Sequence, residues 1–251
     1  MSVLKEIVER TKVDVAQRKK NTPISVPAPS DRCFLSALRK EGLSLISEIK
    51  RSSPSRGLIR PDFEPQEIAS IYGRHASAIS VLTNDHYFGG QHEFLGVARN
   101  AAPCPILAKD FFVDEYQIYE ARAYGADAIL LMASVLDIDT INRFLGVVAS
   151  LNMNALVEVH DQSELEAVLS QTDAAIVGVN SRDLKTLEIH EEQIFAMAPR
   201  VRDAGRLVVA ESGLFERAQI DKVRPIADAV LIGSSIMLAD DIEAKIEELG
   251  W

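Results

Sequence analysis

The stretch DEYQIYEARAYGADAILLM, residues 114–132, contains one complete structural unit and sets the reading of the chain around it. Its first half spreads apolar side chains among charges as an amphipathic helix does, and Gly125 stands where a helix ends at its C-cap. ADAILLM then runs apolar like a strand buried on both faces. The motif returns as ADAVLIG at 227–233, one copy in each half of the chain. Between and before these copies lie six more apolar runs: LISEIK 45–50, AISVLT 78–83, PILAK 105–109, NALVEV 154–159, AAIVGVN 174–180 and RLVVAES 206–212. Successive runs start 20 to 33 residues apart, enough for one strand and one helical crossover each. Eight such units predict a closed (β/α)8 TIM barrel of the α/β class. An open doubly wound sheet has fewer strands and a glycine-rich turn after the first, and no G-x-G-x-x-G follows 45–50 here. With no Ser- or Gly-rich linker near the midpoint, residues 1–251 are expected to form a single barrel domain, 1–42 being an N-terminal helical extension.

The composition excludes several classes of function. The 251 residues are 47% hydrophobic and 25% charged, as in a globular protein with a sizeable core. Lys and Arg total 27 against 37 Asp and Glu, a net charge of −10, so the positive field of a nucleic-acid or anionic-membrane binder is missing. Any anion must be captured locally. Cys33 and Cys104 have no C-x-x-C partner, which predicts buried free thiols in a reducing compartment. The five histidines show no H-E-x-x-H or similar spacing, and no metal is expected. The first twenty residues have the pattern of an amphipathic helix, not of a signal peptide, and no apolar run approaches the roughly 20 residues that span a bilayer. The chain is therefore expected in the cytoplasm.

In a barrel, the C-terminal ends of the strands and the loops after them carry the chemistry. Glu48 and Lys50 share a face with Ile46, so if that face looks inward both rise into the mouth. Lys109 and Asp110 close the third strand, Glu158 the fifth, Asn180 the sixth, and Glu211 with Ser212 the seventh. Any one of these alone reads as a solvated strand end. Polar groups at five strand ends read as a site, because chance would scatter them over both rims. ESG 211–213 and GSS 233–235 then follow strands seven and eight, where many barrels bind phosphate, and SSIMLAD has the look of the short extra helix that accepts an anion. His160 shares the strand parity of Glu158 and could reach the rim, or it could cap the helix that begins near DQSELEAVL.

LISEIKRSSPSRGLI resembles the signature of the indole-3-glycerol-phosphate synthase family in its monofunctional form, a Glu-x-Lys followed by Ser-Pro, and PILAKDF, LVEVH, GVNSRDLKTL, VAESG and VLIGSS extend the resemblance over nearly the whole chain. The resemblance implies a cofactor-free enzyme of tryptophan biosynthesis. It would convert 1-(2-carboxyphenylamino)-1-deoxyribulose 5-phosphate to indole-3-glycerol phosphate with loss of carbon dioxide and water. It implies Lys109 as the acid for ring closure and Lys50 as partner of the substrate carboxylate, two roles that can be exchanged. Burial and a second cation each lower a lysine, so these two are expected to depress one another. Glu158 would be the acid–base group of dehydration, with Glu48 and Asn180 in its hydrogen-bond network. The division between the two glutamates stays open, since coupled carboxylates resist single roles. Glu211 and Ser212 would position the substrate, Ser53, Gly213, Gly233 and Ser234 would take its phosphate, and Phe88, Phe111, Leu131, Leu184 and Leu187 would wall the anthranilate ring, with core packing the alternative for Leu131 because it lies on a strand. Arg182 would support the site through a salt bridge or, as a loop arginine, lie at the surface. In TNDHYFGG the family leads one to expect an acid where Asn84 stands. The expected partner is a small phosphorylated molecule, bound by a monomer with other tryptophan-pathway enzymes as its associates. Two rivals are weighed against this. A sugar-phosphate isomerase or epimerase would need a different acid–base pair or metal ligands at several strand ends. A non-catalytic metabolite sensor would not need Glu48, Lys50, Lys109 and Glu158 together.

Overall fold

In the computed structural model, which describes residues 3–183 and 186–251, eight parallel strands hydrogen-bond in chain order and the last returns to the first. They are β1 (Ser44–Ile49), β2 (Ala78–Leu82), β3 (Ile106–Lys109), β4 (Ala128–Met132), β5 (Asn154–Val159), β6 (Ile176–Asn180), β7 (Leu207–Glu211) and β8 (Ala229–Ile232). Seven of the predicted runs contain their strands, trimmed by no more than two residues at either end, and the first strand begins one residue earlier than its run, at Ser44. The αβ unit at 114–132 forms as read. Asp114 caps helix Glu115–Ala123 in a reciprocal capping box with Gln117, and Gly125 turns the chain at φ 104°, a left-handed conformation that costs glycine least.

Because strand side chains alternate, the barrel has two separate apolar cores. Ile46, Leu107, Leu130, Leu156, Ile176, Val209 and Leu231 point inward, while Leu45, Ile79, Ile129, Val157, Val177, Val208 and Val230 point out under the helices. The N-terminal extension serves both ends of the barrel. Helix α1 (Val3–Asn21) buries Ile7, Thr11 and Val15 and carries Val3, Leu4 and Ile7 to the mouth. The short helix α2 (Phe34–Leu38) inserts Phe34 and Leu38 into the inward core. Both thiols are free, but neither is fully buried: Cys104 is half-buried, and Cys33 is exposed, its sulfur capping α2 by accepting from Ser36 N–H.

The repeated ADA motif has a repeated task. Asp127 Oδ2 accepts the N–H of Ile106 at 2.9 Å, and Asp228 Oδ2 accepts that of Val208 at 2.8 Å, so each ties its own strand to the start of the preceding one. Asp127 is fully buried and also meets Ser30, Arg99 and Arg122. Among the described residues no helix is long and apolar enough to cross a membrane.

Candidate active site

The even-numbered inward positions of β1 carry Ile46 and then Glu48, so the strand passes from core to mouth within one pleat. The same parity brings the other strand ends in. Leu82 pairs with Lys109, Met132 with Glu158, and Asn180 with Glu211 across neighbouring strands. One cavity at the C-terminal rim is lined by Glu48, Lys50, Ser53, Lys109, Glu158, Asn180, Arg182, Glu211, Ser212, Gly213, Gly233 and Ser234. Those residues are scattered over most of the chain, and the barrel gathers them.

Their charges interlock. Lys50 Nζ donates to Glu48 Oε1 at 2.6 Å, and Lys109 Nζ lies 3.3 Å from Glu48 Oε2 and 3.1 Å from Glu211 Oε2. Burial opposes the charge of Glu48, but the two lysines outweigh it and draw its carboxyl down to about 2. The expected mutual depression of the lysines is overturned for Lys109. Burial pulls its ammonium down, yet Glu211, Glu48 and Glu158 together hold it well above the usual lysine range. Three buried carboxylates outweigh one neighbouring cation. Burial, with the Glu158 charge beside it, lifts Glu211 above the usual carboxylate range against the pull of Lys109. Glu158 is held low instead, because His160 and Lys109 overcome its burial.

Phe88 and Phe111 both line the cavity and lie against each other, ring centroids 6.3 Å apart with planes tilted by 35°, and Leu187 is on the same lining. Asp110 fixes both rings. Its carboxylate accepts Phe111 N–H at 2.8 Å, Thr83 Oγ1–H at 2.9 Å and the Asn84 side-chain amide at 3.2 Å, and Asn84 in turn caps helix Asp85–Phe88. Asn84 thus works here as a donor to Asp110, which an acid in its place could do only if protonated.

Leu131 is not in the slot. It is fully buried in the outer core, and its neighbours Leu130 and Met132 line the cavity in its place. Parity decides this: Met132 sits opposite the inward Glu158, so Leu131 must point out. Leu184 lies outside the described residues. Arg182 lines the cavity, but among the described residues it makes no salt bridge; its Nη1 donates to the carbonyl of Leu187 at 2.9 Å. Burial and the adjacent Arg56 hold its guanidinium below the usual arginine value. Sequence reading also missed Leu82, Leu231, Phe215 and the α1 residues Val3, Leu4 and Ile7. Strand parity would have found the first two, whereas only tertiary packing brings α1 there.

At the phosphate-type end, Ser212 and Gly213 take positive φ of 65° and 80°, turning the chain after β7 into the mouth beside Gly233 and Ser234. Helix Ser234–Met237 begins there. Gly233 has a second reason to be glycine, since a Cβ at this position would overlap Glu48 Oε1.

With this geometry in place, comparison shows what the chain is similar to. The family model for indole-3-glycerol phosphate synthase matches residues 4–249. A protein of Neisseria meningitidis serogroup B named indole-3-glycerol phosphate synthase is 43% identical over 232 residues, 90% of this chain and 88% of that one. One of Dehalococcoides mccartyi with the same name is 41% identical over 261 residues, 98% and 99% of the two chains. The tryptophan biosynthesis protein TrpCF of Salmonella typhi is 42% identical over 252 residues, and there the chain spans about half the relative, 55% of its length. Among solved structures, a 3-hexulose-6-phosphate synthase superposes with a TM-score of 0.66 at 17% identity, covering 82% of this chain and 98% of that one, a likeness of fold alone.

Proposed function

The chain belongs to the indole-3-glycerol phosphate synthase family, and from that premise we propose that its barrel mouth performs the family's ring closure, decarboxylation and dehydration on 1-(2-carboxyphenylamino)-1-deoxyribulose 5-phosphate. The observation that carries the proposal is the Lys50–Glu48–Lys109–Glu211 chain of ionisable groups beside Phe88 and Phe111. The slot takes the anthranilate ring, with Leu130 and Met132 beneath it. Gly213, Gly233, Ser234 and Ser53 take the phosphate through amides and hydroxyls, which supplies local capture on a chain of net charge −10.

Ring closure joins the aromatic carbon bearing the carboxylate to the ribulose carbonyl carbon, and the carbonyl oxygen would become an alkoxide unless protonated. Lys109 gives that proton. Its high affinity for the proton is no obstacle, because an alkoxide is the stronger base and the lysine is charged whenever substrate arrives. Lys50 holds the substrate carboxylate until carbon dioxide leaves and the ring regains aromaticity. Loss of the remaining hydroxyl as water requires one acid and one base. Glu158 serves this step, with Glu48 and Asn180 in the surrounding network and Glu211 and Ser212 positioning the sugar. Every step is a proton transfer or a bond change within the substrate.

Incubating the purified chain with this substrate, without metal or nucleotide, is expected to generate indole fluorescence. Lys109→Ala is expected to lose turnover by orders of magnitude while retaining substrate affinity. No signal from the unaltered chain at high enzyme concentration would reject the assignment.

A further inference from the structure

His160 remains outside the mechanism above although it touches its central acid–base group. Its Nε2 lies 3.1 Å from Glu158 Oε1, its Nδ1 lies 3.4 Å from Glu164 Oε2, and only 11% of its side chain is exposed. Glu164 is held in turn by the His160 backbone N–H at 2.7 Å, so the three side chains form a file from the helix Gln162–Gln171 to the mouth. At the inner end of the file stand two facing carboxyls. Glu158 and Glu211 are both buried, Glu211 Oε1 lies over Gly178, the register partner of Glu158, and neither Glu158 Oε2 nor Glu211 Oε1 has a hydrogen-bond donor among the described residues. A proton shared between the two carboxyls satisfies both oxygens. Lys109 holds the far side of Glu211, and His160 the far side of Glu158.

We propose that His160, backed by Glu164, is a positioning residue that holds Glu158 in place and sets which of the two facing carboxyls, Glu158 or Glu211, carries their shared proton. The proposal rests on the reaction assigned above and deepens it. With the imidazolium on Glu158, the proton resides on Glu211. In dehydration Glu211 then gives its proton to the departing hydroxyl, which leaves as water, while Glu158 takes the proton released from carbon. The pair ends with one proton, as it began, and transfer from Glu158 back to Glu211 resets it. The charged and titratable groups around His160 agree with this arrangement. Glu158 on its own strand, Asp161 at the helix cap and Glu164 one turn on are all acidic, and Lys109 lies beyond Glu158. Although burial opposes it, the pull of Glu158 and Glu164 raises His160 to about 10.

Two measurements on the full chain test this. In the first, histidine ring nitrogens are titrated by NMR without substrate. One imidazole, missing from His160→Asn, is expected to remain protonated at pH 8.5, and Glu158→Gln is expected to bring its titration below that pH. In the second, the pH profile of kcat is followed in His160→Asn and His160→Arg. Removing the cation raises Glu158, so the acidic limb of His160→Asn is expected to move up by about 1 to 3 pH units with KM little changed. His160→Arg keeps the charge and is expected to restore the limb. A His160 that titrates near its ordinary value, or an unmoved acidic limb in a folded His160→Asn, would overturn the proposal. An unaltered chain with no turnover would instead strike the assigned reaction, and the NMR titration would still decide the ion pair.

Discussion

Gly178 shows how a residue without chemistry can govern the residues that have it. It lies on β6 between Glu158 and Val209 in register, facing inward, and a Cβ there would overlap Glu211 Oε1. Glycine inside a strand often marks a close approach, but what approaches Gly178 was not legible, because Glu211 lies 33 residues further on in the next strand. Gly233 was read as a phosphate glycine and proves also to be the seat of Glu48. The one-position error at Leu131 has the same origin: local sequence shows that a strand ends in a site, and parity shows which residues reach it. We expect Gly178→Ala to lower kcat by about 100-fold, the scale of a roughly 1 Å displacement of a reacting group, because Glu211 must move. Gly146→Ala is the control. Gly146 lies in helix Ile138–Ser150 with nothing near its absent Cβ, so this change is expected to leave kcat unchanged and add about 0.5 to 1 kcal/mol of stability in urea unfolding. Wild-type turnover in Gly178→Ala would show that Glu211 tolerates the displacement.

The elements that were legible are those whose apolar runs are long and buried on both faces, the eight barrel strands above all. The two-stranded hairpin Ser52–Ser53 with Gly57–Leu58 was not, nor was α2, because two- and five-residue elements carry no periodicity of their own. The repeated ADA before β4 and β8 was visible in the sequence, and its meaning appears only at the level of paired elements. Asp127 and Asp228 make the same strand-to-strand bond in different surroundings. Asp127 has a wholly buried carboxylate on Arg99 and Arg122 and receives the Ser30 hydroxyl, whereas the Asp228 side chain is 38% exposed. Removing Asp127 takes the buried counter-charge from Arg122, leaves Arg99 only the exposed Asp31, and removes the acceptor of the Ile106 N–H. Asp127→Ala is therefore expected to cost about 3 to 5 kcal/mol and to loosen the extension around Ser30. Asp228→Ala is expected to cost about 1 kcal/mol, the scale of one exposed bond. Urea unfolding of the two variants makes the comparison, and equal losses would show that the shared strand bond outweighs the buried pairs.

At the scale of the whole molecule, barrel closure concentrates buried titratable groups at one rim, and this makes global stability depend on pH on both sides of neutrality. That the rim groups would meet was legible from strand ends and parity. How they divide their protons was not, since it depends on distances between strands far apart in sequence. Glu48 falls from 4.5 to about 2 on folding, so its contribution is complete above pH 4.5 and is lost as pH falls through about 2; Glu158, also lowered, acts in the same sense. His160 rises from 6.5 to about 10, so its contribution is complete below pH 6.5 and is lost as pH rises toward 10. Glu211 is raised, and its neutral form likewise favours the folded chain at low pH and ceases to do so as pH climbs. The melting temperature is therefore expected to be highest near pH 4.5 to 5, where Glu48 is fully ionised and Glu211 has not begun to lose its contribution, and to fall toward both pH 3 and pH 9. Glu211→Gln stays neutral at every pH and is expected to flatten the alkaline fall by several degrees, each kcal/mol being about 2 to 4 °C in a chain of this size. Calorimetric scans across that pH range compare the two proteins. An alkaline arm equally steep in Glu211→Gln would mean that Glu211 folds already ionised, and the proton assigned to the pair would have to reside elsewhere.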